Sequence, residues 1–173
     1  MAKQNGASAN RREEIIRAAI EVFAEIGYYK ATTANVAKRA EISQPYVFRF
    51  FDTKEALLLA ALETAWARIA GSFRKVADSV GAGSLEQELI EAYEEILAGH
   101  RPETFLHMQA QTIPDAPIRE AMQKGLREVR GIVLDAFRKH GIPNPEERTM
   151  LFLARGMLCN IAMALDLPEL MET

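Results

Sequence analysis

Apolar positions recur every three to four residues along nearly the whole chain, the period of a helix that turns one face inward. Period-two alternation is sustained nowhere and β-branched runs are absent, so the pattern predicts an all-α protein. Ile15, Ile16, Ala19, Val22, Phe23 and Ile26 set a first helix from about Arg11 to Ile26, stopped by Gly27. After the loop Tyr28-Tyr29-Lys30-Ala31, the hydroxyls of Thr32 and Thr33 open a second, short helix ending near Ala40. Ser43 caps a third, from Gln44 to about Phe51, with Pro45 in the first turn, where a missing N–H costs nothing. A long fourth helix starts after Asp52 or Thr53 and reaches about Val80 along the stripe Leu62, Trp66, Ile69, Phe73, Val76, Val80. Gly81-Ala82-Gly83 breaks it. Ser84 opens a fifth helix to about Ala98, and a short one follows the Gly99–Pro102 turn to about Thr112. Two long helices, about 116–139 and 145–165, close the chain on either side of Gly141-Ile142-Pro143-Asn144-Pro145. Three short N-terminal helices (residues 1–53) thus form a head, joined by a long helix to a helical body (residues 54–173).

Composition narrows the class. Apolar residues make up 49% of the 173, enough for a real core. The net charge of −3 argues against a general nucleic-acid coat, but the charge is uneven: residues 1–53 carry +2 and the remainder −5. No apolar run approaches the roughly 18 uncharged residues of a membrane span, and Met1–Asn10 has no apolar signal core. The single cysteine, Cys159, excludes an intrachain disulfide, and a cytoplasmic protein without a membrane partner is the simplest reading. No catalytic signature, phosphate-binding loop or Cys-rich metal pattern occurs, so neither an enzyme nor a cofactor or metal is expected.

The second and third helices are separated by Glu41-Ile42-Ser43, the spacing of a helix-turn-helix. Ala37 and Ala40 allow close approach, with Val36, Ile42 and Val47 between the helices. The third helix would enter a major groove with its N-terminal residues leading. Gln44 can pair with adenine and Arg49 with guanine or a phosphate, while Tyr46 and Phe48 offer apolar contact to thymine methyls. Thr33, Ser43 and Lys54 are placed for phosphates. Spacing alone does not separate a DNA reader from an ordinary helical corner.

The register of the wider segment does. Gly27-x5-Thr33-x2-Val36-Ala37-x2-Ala40-x-Ile42-Ser43-x3-Val47-Phe48-x-Phe50-Phe51-x2-Lys54-Glu55-x-Leu57 resembles the signature of the tetracycline-repressor (TetR) family, over about residues 11–62. Gln44-Pro45 also resembles the start of that family's recognition helix. The resemblance implies an all-α regulator that binds palindromic double-stranded operator DNA as a homodimer and a divergent C-terminal domain that binds a small effector. The chain departs from the family at Glu41, where glycine is common, at Tyr46, where a small or hydroxyl residue is usual, and at Phe48 and Phe50, which lack the polar group of Tyr or His. A residue with a Cβ held left-handed at position 41 costs roughly 1–2 kcal/mol.

In the body, His107 and Gln111 are i and i+4 and share a helix face. Trp66, Ile69, Phe73, Tyr93 and Leu97 can wall an effector pocket around them; alternatively the stripe is plain core and His107 bonds a backbone carbonyl. The last helix is apolar nearly all round, which calls for burial on more than one side. Leu151, Arg155, Leu158, Cys159 and Ala162 are expected at a four-helix dimer interface, with Gly156 permitting close approach. Asn160 either sets register across the two-fold or closes an internal hydrogen bond. The expected function is a ligand-responsive repressor; the alternative is a sensory or scaffold module that has lost specific DNA binding.

Overall fold

The structure, a computed structural model, describes residues 2–79, 81 and 83–172; Val80 and Ala82, expected at the end and break of the fourth helix, lie outside them. The described residues form eight α-helices and no strand: α1 (Ala2–Ile26), α2 (Thr33–Arg39), α3 (Gln44–Val47), α4 (Lys54–Ser79), α5 (Leu85–Gly99), α6 (Arg101–Ala110), α7 (Ala116–Lys139) and α8 (Pro145–Leu165). A short 3-10 helix at Pro168–Met171, not foreseen from the sequence, follows α8. The helix α1 begins before Arg11 and runs on through Ser8 and Asn10.

The chain divides into two compact units, Met1–Ala65 with Phe105–Met122, and Trp66–Thr104 with Gln123–Thr173. In the first, α1 packs on α2 and α2 on α3, burying Ile15, Ala19 and Phe23 of α1, Val36 and Ala37 of α2, and Val47 of α3. Thr32 and Asn35 cap α2 reciprocally: the Asn35 N–H donates to Thr32 Oγ1 at 3.2 Å and the Thr32 N–H to Asn35 Oδ1 at 2.9 Å. The turn into α3 closes with the Ile42 N–H on the Ala37 carbonyl at 2.9 Å and the Glu41 N–H on Lys38 at 3.2 Å. That closure puts Glu41 at φ 55°, the left-handed region where glycine is favoured. The α-helical part of α3 ends at Val47 rather than Phe51. The Val47 carbonyl accepts from both Phe50 (3.0 Å) and Phe51 (3.1 Å), and this tight turn drops Phe51 into the core.

The second unit is built on Ile69 and Phe73 of α4, Leu85 and Leu89 of α5, Val133 and Phe137 of α7, and Phe152 of α8. Its aromatic rings meet edge to face: Phe73–Phe152 at 5.6 Å, Phe73–Tyr93 at 6.1 Å and Phe137–Phe152 at 6.3 Å between centroids. The Tyr93 hydroxyl donates to Asn160 Oδ1 at 2.8 Å, so Asn160 closes an internal hydrogen bond between α5 and α8. Trp66 of α4 lies against Gly125 of α7, where a Cβ would stand 2.2 Å from the indole Cγ. The helices α4 and α8 are each long and apolar enough to cross a membrane by length and composition, but half of that stretch of α4 is buried inside the protein.

The Trp66–Gly125 approach fixes an expected sign. Alanine gains about 1 kcal/mol over glycine in a helix interior, whereas overpacking against a rigid ring costs about 1–3 kcal/mol. Gly125→Ala is therefore expected to lower the melting temperature, and Trp66→Leu to relieve that loss. Gly131→Ala on the same helix, where a Cβ meets nothing within 4 Å, is expected to raise it.

Candidate nucleic-acid interface

The one-turn helix α3 presents a short row of exposed side chains on a buried support. Val47 is fully buried, while Ser43, Gln44, Pro45, Phe48 and Arg49 are exposed. The Ser43 hydroxyl makes no cap bond to its own helix. Gln44 does not hang loose: its Nε2 donates to the Thr33 Oγ1 of α2 at 2.8 Å, and Thr33 is buried. Thr33, expected at a phosphate, is thus placed behind Gln44. Tyr46 is half-buried between two neighbours, with Phe50 at 5.6 Å edge to face and the Arg49 guanidinium 5.2 Å from its ring centroid. Phe48 keeps 44% of its surface exposed and is the large apolar side chain of this turn that projects outward.

Lys54 is placed differently from the expectation. Its ammonium donates to the carbonyls of Tyr28 at 2.8 Å, Ala31 at 3.1 Å and Tyr29 at 3.5 Å, and sits 4.4 Å from the Tyr28 ring centroid. An ammonium has three donors, and all three go to the loop after α1, so Lys54 fastens that loop to the start of α4. Arg39 is likewise committed: it pairs with Glu21 at 2.9 Å and with Glu25, and the hydrogen bonds it donates to Glu25 and then to Glu21 raise its pKa further. A cation that sequence reasoning passed over is Arg12, exposed, with its guanidinium 5.1 Å from the Phe51 ring centroid. Its signal was the Arg11-Arg12 pair just ahead of the α1 stripe.

The residues expected to wall an effector pocket do not share one environment. Trp66, Ile69, Phe73 and Tyr93 come together, but Ile69 and Phe73 are closed into the core and Tyr93 packs against it, hydroxyl bonded to Asn160. Burial raises the Tyr93 pKa. Leu97 is half-buried and Gln111 exposed. His107 is buried and hydrogen-bonded to the backbone of Leu62, and burial holds its pKa down from the ordinary 6.5 to about 4. The imidazole is therefore neutral at physiological pH.

The last helix has two distinct faces. Leu151 and Leu158 are exposed along with Met150, Met157, Ile161 and Leu165, and Arg155 is exposed beside them, 4.0 Å from Glu94. Cys159 and Ala162, expected at the same interface, face their own unit, with 8% and 6% of their surface exposed. The Cys159 Sγ lies 3.8 Å from Met171 Sδ of the 3-10 helix, and burial pushes its thiol pKa up. Gly156 also faces inward, toward Tyr93, whose ring a Cβ there would meet at 3.5 Å.

Residues 15–61 match the family described as bacterial regulatory proteins, tetR family. The chain is similar to the HTH-type transcriptional regulator BetI of Stenotrophomonas maltophilia (strain R551-3), 41% identical over 59 residues, which cover 34% of this chain and 30% of that protein. The chain thus spans less than a third of that relative's length. Its fold is that of the fatty acid degradation regulator FadR from Bacillus halodurans, with a TM-score of 0.79 at 17% identity over 90% of this chain and 86% of that one. It is also that of a TetR-family transcriptional regulator from Bordetella parapertussis 12822, with a TM-score of 0.71 at 24% identity over 88% and 82% of the two chains.

His107 gives the chain a calculable acid sensitivity. The folded-state pKa lies below that of the unfolded chain, so the unfolded chain takes up the proton first. The contribution of His107 to stability is expected to be level above pH 6.5, to fall as the pH drops from 6.5 toward about 4, and to change no further below that. The loss amounts to roughly 3 kcal/mol at most. Denaturant titrations across this range should show the limb in the natural chain and a flatter one in His107→Gln.

Proposed function

We propose that this chain, whose residues 15–61 match the tetR family of bacterial regulatory proteins, is a sequence-specific DNA-binding transcriptional regulator of that family that works as a homodimer. The observation that carries the reading is the exposed row of Gln44 on a one-turn helix and Phe48 and Arg49 in the turn that follows it, with Val47 locked into the core between them. Gln44 offers an amide to adenine, Arg49 a planar fork to guanine or a phosphate, and Phe48 an apolar edge to a thymine methyl. Ser43 and Arg12 add a hydroxyl and a charge for the backbone, the term that gives affinity without sequence. Lys54 acts on DNA indirectly, by holding the loop between α1 and α2 in place.

The exposed face of α8 supports the dimer. Leu151, Leu158, Ile161 and Leu165 are exposed along one helix, with Arg155 beside them, and a second copy of the same face would cover them. A dimer presents two recognition helices to half-sites about one DNA turn, roughly 34 Å, apart, which calls for a palindromic operator. Blocking that operator in the cytoplasm would make the protein a repressor. A small-molecule effector acting on the helical body belongs to the same reading, with Trp66 and Leu97 as side chains that keep part of their surface open. Such a molecule changes DNA affinity only by binding two states of the protein unequally.

Mobility-shift and footprinting assays on the DNA flanking the protein's own gene test the reading. Salt-sensitive protection of a palindrome is expected, weakened about tenfold or more by Arg49→Ala; binding that ignores sequence, or that Arg49→Ala leaves unchanged, overturns it. Sedimentation tests the assembly. The natural chain is expected as a dimer and Leu158→Glu as a folded monomer, and a natural chain that sediments as a monomer at micromolar concentration sinks the dimer.

A further inference from the structure

We propose that the base preference of this protein is set by two side chains behind the reading row, Thr33 and Tyr46, acting as positioning residues for Gln44 and Arg49. The proposal rests on the DNA-reading function above and deepens it.

An exposed glutamine turns about three side-chain torsions and can present either end of its amide to a base edge. Gln44 is exposed, yet its Nε2 is held 2.8 Å from the Thr33 hydroxyl oxygen. The anchor is itself fixed, because Thr33 is buried in the first turn of α2, whose start is locked by the Thr32–Asn35 capping box. With the nitrogen turned toward α2, the Oε1 acceptor and the second N–H remain for the groove. That combination suits adenine, which offers an N6 donor beside an N7 acceptor, and through Oε1 alone it suits the N4 donor of cytosine. Without the hydroxyl the amide is free to flip and to offer its nitrogen to guanine O6 or thymine O4 instead.

Arg49 is held in a different way. Its guanidinium lies 5.2 Å from the Tyr46 ring centroid, and that ring is braced edge to face by Phe50 at 5.6 Å. A guanidinium held over the ring face has less freedom to turn, and its orientation decides whether both donors reach O6 and N7 of one guanine or a single donor reaches a phosphate. Tyr46 spends its ring face on Arg49, so it serves as a platform and not as a base contact. It also explains the departure at this position: a small or hydroxyl residue offers no ring face to the guanidinium.

Selection from a random-sequence DNA pool with the full chain, followed by sequencing, tests this. The natural chain, Gln44→Ala and Arg49→Ala first assign one base column of the motif to each reading residue. Thr33→Val is expected to flatten the Gln44 column, lowering its discrimination about fivefold or more, and Thr33→Ser to restore it. Tyr46→Leu is expected to flatten the Arg49 column and Tyr46→Phe, which keeps the ring, to restore it. A motif unchanged in Thr33→Val and Tyr46→Leu overturns the proposal, as does a uniform loss across all columns, the mark of a merely structural role. If Thr33→Val fails to melt cooperatively, Thr33→Ala carries the same test. A natural chain that selects no motif overturns the DNA-reading function itself, a result separate from either of these.

Discussion

A helix of one turn has no stability of its own. Nucleating helical backbone fixes several torsions for a single hydrogen bond, and α3, at four residues, never reaches the stage where each further residue adds one. Everything around it is arranged to hold it from outside. The Schellman-like closure of α2 through Ile42 sets where the chain leaves, burial of Val47 sets which face turns inward, and the bifurcated Val47 carbonyl returns the chain to the core at Phe51. The strain of Glu41 at φ 55° belongs to the same account: a left-handed residue with a Cβ costs roughly 1–2 kcal/mol, and it persists because both sides of the turn are over-determined. Lys54 extends the logic to the far side of the head, where one ammonium gathers three carbonyls that no helix satisfies.

The second unit solves a different problem. Its four helices contribute large aromatic and aliphatic side chains to one closed core, and what is left over defines its surface. On α8, Phe152, Cys159 and Ala162 are used inward, and the tyrosine–asparagine bond between α5 and α8 satisfies the one amide that this inner face buries. Leu151, Leu158, Ile161 and Leu165 cannot reach the same core from the opposite side of the helix. A helix apolar all round therefore divides its residues between two neighbours, and which residue serves which neighbour is decided by rotation about the helix axis.

That division marks where the sequence stopped being readable. The boundaries of α7 and α8 were legible because proline and glycine stand at their ends, and the head was legible because its spacing and register are rigid. The length of α3 was not, since it depends on which carbonyl accepts the Phe50 and Phe51 amides, a choice made by burial of Phe51 and not by local propensity. Lys54 and Thr33 were read as phosphate contacts because an exposed-looking cation and a hydroxyl near a helix start carry that signal. Their partners, a cluster of loop carbonyls and the amide of Gln44, are brought to them only by the fold. Cys159, Ala162 and Gly156 looked like interface residues for the same reason: composition reports that a helix is buried on two sides and is silent on which side is which. Equally, the row Trp66, Ile69, Phe73 read as pocket wall or core with equal justice; Ile69 and Phe73 are closed into the core, and Trp66 is only partly buried against it.

Trp66 is the only tryptophan in the chain, and it lies on the hydrogen of a glycine in a neighbouring helix. The tryptophan fluorescence of the chain therefore comes from a single indole whose ring face is pressed on α7. Any event that slides α7 along α4, by even a fraction of a turn, replaces that contact with either solvent or the Cβ of a larger residue. The chain carries, without labelling, an optical gauge of the spacing between these two helices.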